Sequence, residues 1–313
     1  MAKSRSPYNL IFFGTSNFAY PLLDWLLGHK LTPSLVITQP DKPTGRKQTL
    51  TPSIIKQLAV KNGLNLQQPD DLNDAGFKKT ISDLAPDLGI VLAYGKFIPA
   101  WLWRGLPLGV INIHPSLLPK YRGPSPIQSA IINGDNKTGN SLMLIDSGMD
   151  TGPLLGQQEI SVAADDTTPT LESKLAIKAT ELMDKYLTAY LTGKLKLTPQ
   201  PAAGTITKII DRSDGKVDWR EPAEVIERKY RAYLTWPGLW TTWQEKPLKL
   251  IDISLHQVTY ADPGKVSYID DRLIVSCAEG AIQLNKLQLA GKRIVTSAEI
   301  LNGYPQLAGA TLQ

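Results

Sequence analysis

Cysteine, histidine and long apolar runs are scarce in this chain, and each scarcity excludes something. Cys277 is the single cysteine among 313 residues, so neither an internal disulfide nor a cysteine-based zinc site can be built. It lies in Leu273-Ile274-Val275-Ser276-Cys277, which reads as a strand, so a packed thiol is expected. The three histidines, His29, His114 and His256, are far apart and show no metal-ligand spacing, so no metal is expected. No run of about 18 apolar residues occurs, which argues against a membrane-spanning helix and a membrane partner. Met1 to Pro7 is polar and basic, and Leu10 to Phe13 is too short for the apolar core of a secretory signal. A cytoplasmic chain is therefore expected. The pattern G-x-G-x-x-G is also missing, so the N-terminal strand-turn-helix reads as an ordinary βα unit, not a dinucleotide site.

What is present suits a folded protein of two domains. The chain is long for one core, and 42% hydrophobic with 20% charged residues is ordinary for a globular protein. The net charge of +5 favours anionic partners. It is not concentrated in the tail: residues 1–205 hold 20 basic and 16 acidic residues, and 206–313 hold 14 and 13.

Strand and helix patterns alternate through the first two thirds. Asn9 to Gly14, Ser34 to Thr38, Leu88 to Ala93, Val110 to Ile113 and Ser141 to Ile145 read as short buried strands. Thr51 to Gly63, Asp71 to Leu84, Ser125 to Gly134 and Pro169 to Gly193 read as helices. This alternation predicts a Rossmann-like α/β fold with a mostly parallel, doubly wound sheet. The Pro-rich stretch from Lys194 to about residue 208 reads as a linker. Beyond it, short Leu-, Ile-, Val- and Trp-rich segments separated by Pro-Gly and Asp-Pro-Gly turns predict a small β-barrel. The expected domains are residues 1–193 and 209–313. Trp236, Trp240 and Trp243 are expected in the barrel core more than on a base-stacking surface.

The informative stretch runs from Val110 to Leu155. Asn112 and His114 are two apart at the end of a strand, so they share a face. In open α/β sheets ligands bind at carboxyl ends of strands. Pro115 to Pro126 is a stiff, proline-rich loop. Asp150 then stands between glycines in Ser147-Gly148-Met149-Asp150-Thr151-Gly152. An amide, an imidazole and a carboxylate could orient a carbonyl and move a proton. The spacing alone also suits a structural histidine and an acid serving turn chemistry.

The sequence N-I-H-P-S-L-L-P-K-Y-R-G, followed by M-D-T-G, resembles the signature of formyltransferases that use 10-formyltetrahydrofolate. The resemblance implies catalytic roles for Asn112, His114 and Asp150. It implies a folate-binding loop at Ser116, Leu117, Leu118 and Pro119, with backbone near Tyr94 and the Asp150 turn holding the pterin. The segment T-Q-P-D-K-P-T-G-R, followed by L-T-P-S-I-I-K-Q-L-A, is similar to methionyl-tRNA formyltransferases in particular. In them this insertion reaches the tRNA acceptor end, which implies that Arg46 contacts tRNA. They often carry Gly-Lys-Lys after that arginine, where this chain has Lys47-Gln48-Thr49. The stretches I-D-R-S-D-G-K-V-D-W and R-A-Y-L-T-W-P-G-L-W-T resemble the entry to that family's C-terminal OB-like, tRNA-binding barrel. The implied reaction is formyl transfer from 10-formyltetrahydrofolate to the α-amino group of initiator methionyl-tRNA. The implied partners are folate and tRNA; the sequence carries no strong oligomerisation signal, so a monomer is expected. Sugar-nucleotide amine formyltransferases and formyltetrahydrofolate hydrolases share the same catalytic motif. They are the alternatives that the Gln39 to Lys56 segment argues against.

Overall fold

The structure is a computed structural model that describes residues 8–44, 48–256 and 261–313. The chain divides into two compact units. One holds the residues up to Gly123, 137–161 and 172–207. The other holds 124–136, 162–171 and 208–313.

The first unit is built on a seven-stranded sheet. Its strands are β1 (Leu10–Gly14), β2 (Leu35–Ile37), β5 (Leu66–Gln67), β6 (Leu88–Leu92), β7 (Val110–His114), β8 (Lys137–Leu144) and β9 (Leu154–Ser161). They run in the order β5-β2-β1-β6-β7-β8-β9. Pairing is parallel from β5 to β7 and antiparallel across β7-β8-β9. A two-stranded hairpin, β3 (Lys42–Thr44) and β4 (Thr49–Thr51), stands apart from it. The helices are α1 (Tyr20–Gly28), α2 (Ile54–Lys61), α3 (Ala75–Leu84), α4 (Ala100–Gly105) and most of α6 (Thr168–Leu191). α5 (Pro126–Ile132) belongs to the second unit.

Leu10 to Phe13 are all at most 1% exposed. Full burial of consecutive strand residues requires both sheet faces to be covered, which is why these strands read as unbroken apolar runs. On one face Ile11, Phe13, Ile37, Val91 and Val110 pack with Phe77 and Ile81 of α3 and Leu102 of α4. Local caps fix the helix starts. The Ser53 hydroxyl accepts from the Lys56 N–H at 3.0 Å and the Asp74 carboxylate from the Phe77 N–H at 2.9 Å, each satisfying an otherwise orphaned donor. The cap at Asp74 starts α3 four residues later than Asp71.

The mostly parallel doubly wound sheet stands as expected, with two additions. The hairpin replaces an expected loop. Its second strand is exposed throughout, so it carries no apolar alternation to reveal it. β9 is the sheet's edge strand and is mainly half-buried or exposed, so Gln157-Gln158-Glu159 reads as polar connection. The expected linker is also part of the first unit. Thr198 pairs with Leu154 and Ile206 with Arg122. The long stretch of proline and small residues is therefore stitched down by main-chain bonds.

The second unit contains α5, α7 (Ala223–Ala232), an antiparallel sheet and α8 (Ser297–Gly303). The strands are β10 (Leu239–Trp243), β11 (Lys246–His256), β12 (Val266–Ile269), β13 (Arg272–Ser276), β14 (Ala281–Leu289) and β15 (Val295–Thr296). The order is β10-β11-β14-β13-β12, with β15 on β14. Register shifts around Asp252 interrupt the β11–β14 ladder, and such bulges bend a strand. The last residues bond both outer strands: Gln313 exchanges bonds with Thr242 of β10, and Gly309 and Ala310 bond Val266 of β12. This arrangement is OB-like in character. Cys277 is 1% exposed and burial pushes its thiol up to about 12, so it is a packed thiol.

The tryptophans divide. Leu239, Thr241 and Trp243 alternate inward along β10, and Trp243 packs edge-on to Tyr304 at 5.7 Å. Trp240 therefore falls on the outer face by the two-residue period, and its Nε1 donates to the Arg212 carbonyl at 3.1 Å. Trp236 is 57% exposed, so only Trp243 of the three is core.

Candidate active site

The first unit brings His114 and Asp150 together. β7 lies between the parallel β6 and the antiparallel β8, with Val91 and Met143 beside Asn112, and Ser141 beside His114. His114 is the strand's last residue and only 4% exposed. Its Nε2 lies 2.8 Å from the Tyr121 carbonyl oxygen. A carbonyl only accepts, so Nε2 carries the hydrogen. Nδ1 then faces Asp150, 3.4 Å from Oδ2. The same Oδ2 accepts the Gly123 N–H at 2.8 Å. The imidazole is thus located at both nitrogens.

Asn112 stands two residues earlier on the same face, about 7 Å back along the strand. It is half-buried, and its amide makes no hydrogen bond to another described residue.

The Asp150 turn is held from inside. Asp146 Oδ1 accepts the Gly148 N–H at 3.0 Å and the Thr151 hydroxyl at 2.7 Å. Asp150 adopts φ 53°, a left-handed conformation that Asp tolerates better than most residues. A Cβ on Gly152 would lie 1.9 Å from the Leu144 carbonyl oxygen. Backbone cannot yield there as a flexible side chain can. Gly152→Ala should cost about 1–3 kcal/mol of stability through this overlap. Urea denaturation measures it, and parental stability would show that the turn accommodates a methyl group.

The loop expected to bind folate is pinned at its middle. The Ser116 side chain is fully buried and its hydroxyl donates to the Lys120 carbonyl. The Leu118 N–H donates to the Ser141 hydroxyl at 2.9 Å, and Gln157 Nε2 donates to the Leu118 carbonyl at 2.9 Å. Leu118 packs with Met143 and Leu154. The Ser116 and Leu118 side chains therefore brace the loop, while Leu117 and Pro119 remain half-buried. Arg46 falls in sequence between β3 and β4 and lies outside the described residues.

Next to these strand ends, Ala93 takes φ 47°. The Tyr94 carbonyl accepts from the Thr15 hydroxyl at 3.0 Å and Gln39 Nε2 at 2.7 Å. The Tyr94 ring is 1% exposed, and burial pushes its phenol up to about 12. It serves as packing.

Sequence reasoning missed Gly123, the Tyr121 carbonyl and Gln200. Tyr121 and Gly123 lie inside the stretch that carries the resemblance, but their contribution is main chain and leaves no side-chain trace. Gln200 Nε2 donates to the carbonyls of Asp150 at 3.0 Å and Gly152 at 2.7 Å. It was hidden in the expected linker. Among the described residues there is no group of acids, cysteines and histidines able to hold a metal, and no helix long and apolar enough to cross a membrane.

A buried imidazole with a carboxylate against it lies at the end of β7, and an unengaged amide two residues back shares its face. The chain belongs to the formyl transferase family: residues 8–187 match the formyl transferase model and residues 209–305 match the model for the family's C-terminal domain. Its relatives include the methionyl-tRNA formyltransferase of Myxococcus xanthus, 38% identical over 304 residues, 96% of each chain. That of Thermodesulfovibrio yellowstonii is 39% identical over 296 residues, 94% of this chain and 95% of the other. Among solved structures, the N-formyltransferase from Helicobacter canadensis, in complex with folinic acid and dTDP-3-aminofucose, aligns with a TM-score of 0.67. It is 18% identical, covering 88% of this chain and 98% of that one. HypX from Aquifex aeolicus in complex with tetrahydrofolic acid aligns with a TM-score of 0.66 at 18% identity, covering 97% and 48%. At these identities the structures speak to the fold alone.

Proposed function

We propose that this chain transfers the formyl group of 10-formyltetrahydrofolate to the α-amino group of initiator methionyl-tRNA. The observation that carries the reading is the 38% identity to a protein of that name over 96% of both chains, which includes both units. The reading also places the protein in the cytoplasm, as a monomer.

The chemistry follows from the residues present. The neutral amine nitrogen attacks the formyl carbon, and the carbonyl oxygen gains negative charge. Asn112 donates a hydrogen bond to that oxygen, and such a donor acts where charge develops. His114 already engages Asp150 and the Tyr121 carbonyl, so it reaches the oxygen when the Tyr121 contact opens. Asp150 holds the ring from the other side, its Oδ2 3.4 Å from Nδ1. It also accepts the proton lost by the amine, directly or through water. The new C–N bond remains, the bond from carbon to folate N10 breaks, and N10 takes up a proton. No enzyme-bound formyl group is required. Ser116 Oγ is buried against a carbonyl and the Cys277 thiol is buried in the second unit, just past β13, so neither serves as a nucleophile here. Leu117, Pro119 and the loop's main chain are the parts of the 116–119 segment available to folate, with Ser116 and Leu118 shaping them.

The test supplies labelled 10-formyltetrahydrofolate with methionyl-tRNA, with a nucleotide amino-sugar, or with buffer. Label should appear on methionyl-tRNA. Preferential labelling of the sugar, or release of formate at the same rate in buffer, would replace the reading with one of the two alternatives.

Arg46 is proposed as a contact to the tRNA. Arg46→Ala should lower kcat/KM for tRNA about tenfold, the scale of one lost charged hydrogen bond. The KM for folate should hold, and the log–log salt slope should fall by about one. A rate and salt dependence equal to the parent's would remove Arg46 from recognition.

A further inference from the structure

The segment after α6 reaches back to the acid turn through Gln200. Gln200 donates both amide hydrogens to main-chain oxygens of the acid turn, those of Asp150 and Gly152. Its Oε1 accepts from Arg122, at 2.9 Å from Nη2 and 3.3 Å from Nε. Arg122 is 6% exposed and forms no ion pair among the described residues. Two more of its donors go to the carbonyls of Pro201 at 2.9 Å and Ala202 at 3.3 Å. A buried cation without a counter-ion is costly unless its donors are satisfied. Here carbonyl dipoles and the Gln200 amide take four of its five N–H donors.

The neighbours of Arg122 give this pair its consequence. On one side is Tyr121, whose carbonyl holds His114 Nε2. On the other is Gly123, whose N–H holds Asp150 Oδ2. Further bonds fix Tyr121 and Arg122 to the later segment: Tyr121 N–H to the Thr205 hydroxyl at 2.7 Å, Arg122 N–H to the Thr205 carbonyl at 2.8 Å and Thr207 N–H to the Arg122 carbonyl at 2.7 Å. A Cβ on Gly123 would lie 2.8 Å from the Thr207 hydroxyl oxygen, so the two segments are in close contact. One end of the Gln200–Arg122 pair therefore grips the turn that carries the carboxylate. The other grips the loop that orients the imidazole.

We propose that Gln200 and Arg122 are positioning residues for formyl transfer: together they set the separation of His114 and Asp150. The proposal rests on the reading of this site as the one that transfers formyl to methionyl-tRNA.

Gln200→Glu isolates the amide. It keeps an oxygen for Arg122 and adds an ion pair there, so folding is retained. It also turns an oxygen toward the Asp150 and Gly152 carbonyls, where two donors stood. Gln200→Met, which removes donor and acceptor together, is the second variant. Each should lower kcat for methionyl-tRNA formylation about tenfold to a hundredfold, the scale of a small displacement of reacting groups, with KM for 10-formyltetrahydrofolate within about twofold. In an Asp150→Asn background the same substitution should cost less than about twofold, since groups acting through one carboxylate do not multiply. A full multiplicative loss in that background overturns the proposal. Amide exchange at Gly123, followed by NMR, gives a readout free of any substrate. It should accelerate in both variants, and an unchanged rate overturns the proposal whichever acceptor the enzyme uses. A parent that leaves methionyl-tRNA unformylated overturns the functional reading instead, and the Gly123 exchange rate still decides the positioning role.

Discussion

Asp150→Asn should fold like the parent and lose about a thousandfold in kcat, ~4 kcal/mol of barrier. The geometry explains both halves of that outcome. Asn tolerates the left-handed backbone at this position, and its amide oxygen can still accept the Gly123 N–H that Asp150 Oδ2 now holds at 2.8 Å. The same amide oxygen then faces His114 Nδ1, as Oδ2 does at 3.4 Å, but it carries no charge. The substitution thus removes the carboxylate that accepts the amine's proton, without creating a void. Circular dichroism and thermal melting should match the parent while single-turnover formylation collapses. Near-parental single turnover would show that Asp150 moves no proton.

Asn112→Ala should cost about a hundredfold to a thousandfold in kcat, the range for losing one donor to an oxyanion. Its side chain is half-buried and bonds no other described residue, so the variant leaves no partner stranded. Stability should therefore change by less than about 0.5 kcal/mol. Donation to the charged oxygen is stronger than to the neutral carbonyl, so the KM for 10-formyltetrahydrofolate should move little. A rise in KM with kcat preserved would place Asn112 in ground-state binding. These two substitutions separate the roles: one removes a hydrogen bond to developing charge, the other a route for the proton.

Much of this was legible before any coordinates. Leu10 to Phe13, Leu88 to Leu92 and Val110 to Ile113 announce buried strands because both their faces are covered. Asn112 and His114 announce a shared face because strand side chains alternate. What was hidden follows a physical pattern. β9 and the β3–β4 hairpin are edge or surface elements, and half-exposed strands lose the apolar signature. Trp236 and Trp240 carry the composition of a core, yet one is exposed and the other is turned outward by the register of β10. Gln200 and the Tyr121 carbonyl act through or upon main chain, which sequence does not display. The Pro-rich stretch after α6 looked like a linker because its anchoring is made of backbone bonds and one amide side chain.

The most direct measurement is a rapid-quench single turnover. Enzyme preloaded with labelled 10-formyltetrahydrofolate is mixed with methionyl-tRNA, and label is followed on folate, protein and tRNA. Direct transfer from folate to the amine at a site built from Asn112, His114 and Asp150 requires label to leave folate and appear on tRNA with one rate constant, none resting on the protein. Label trapped on the chain, or formate released as fast without tRNA as tRNA is formylated with it, would contradict that.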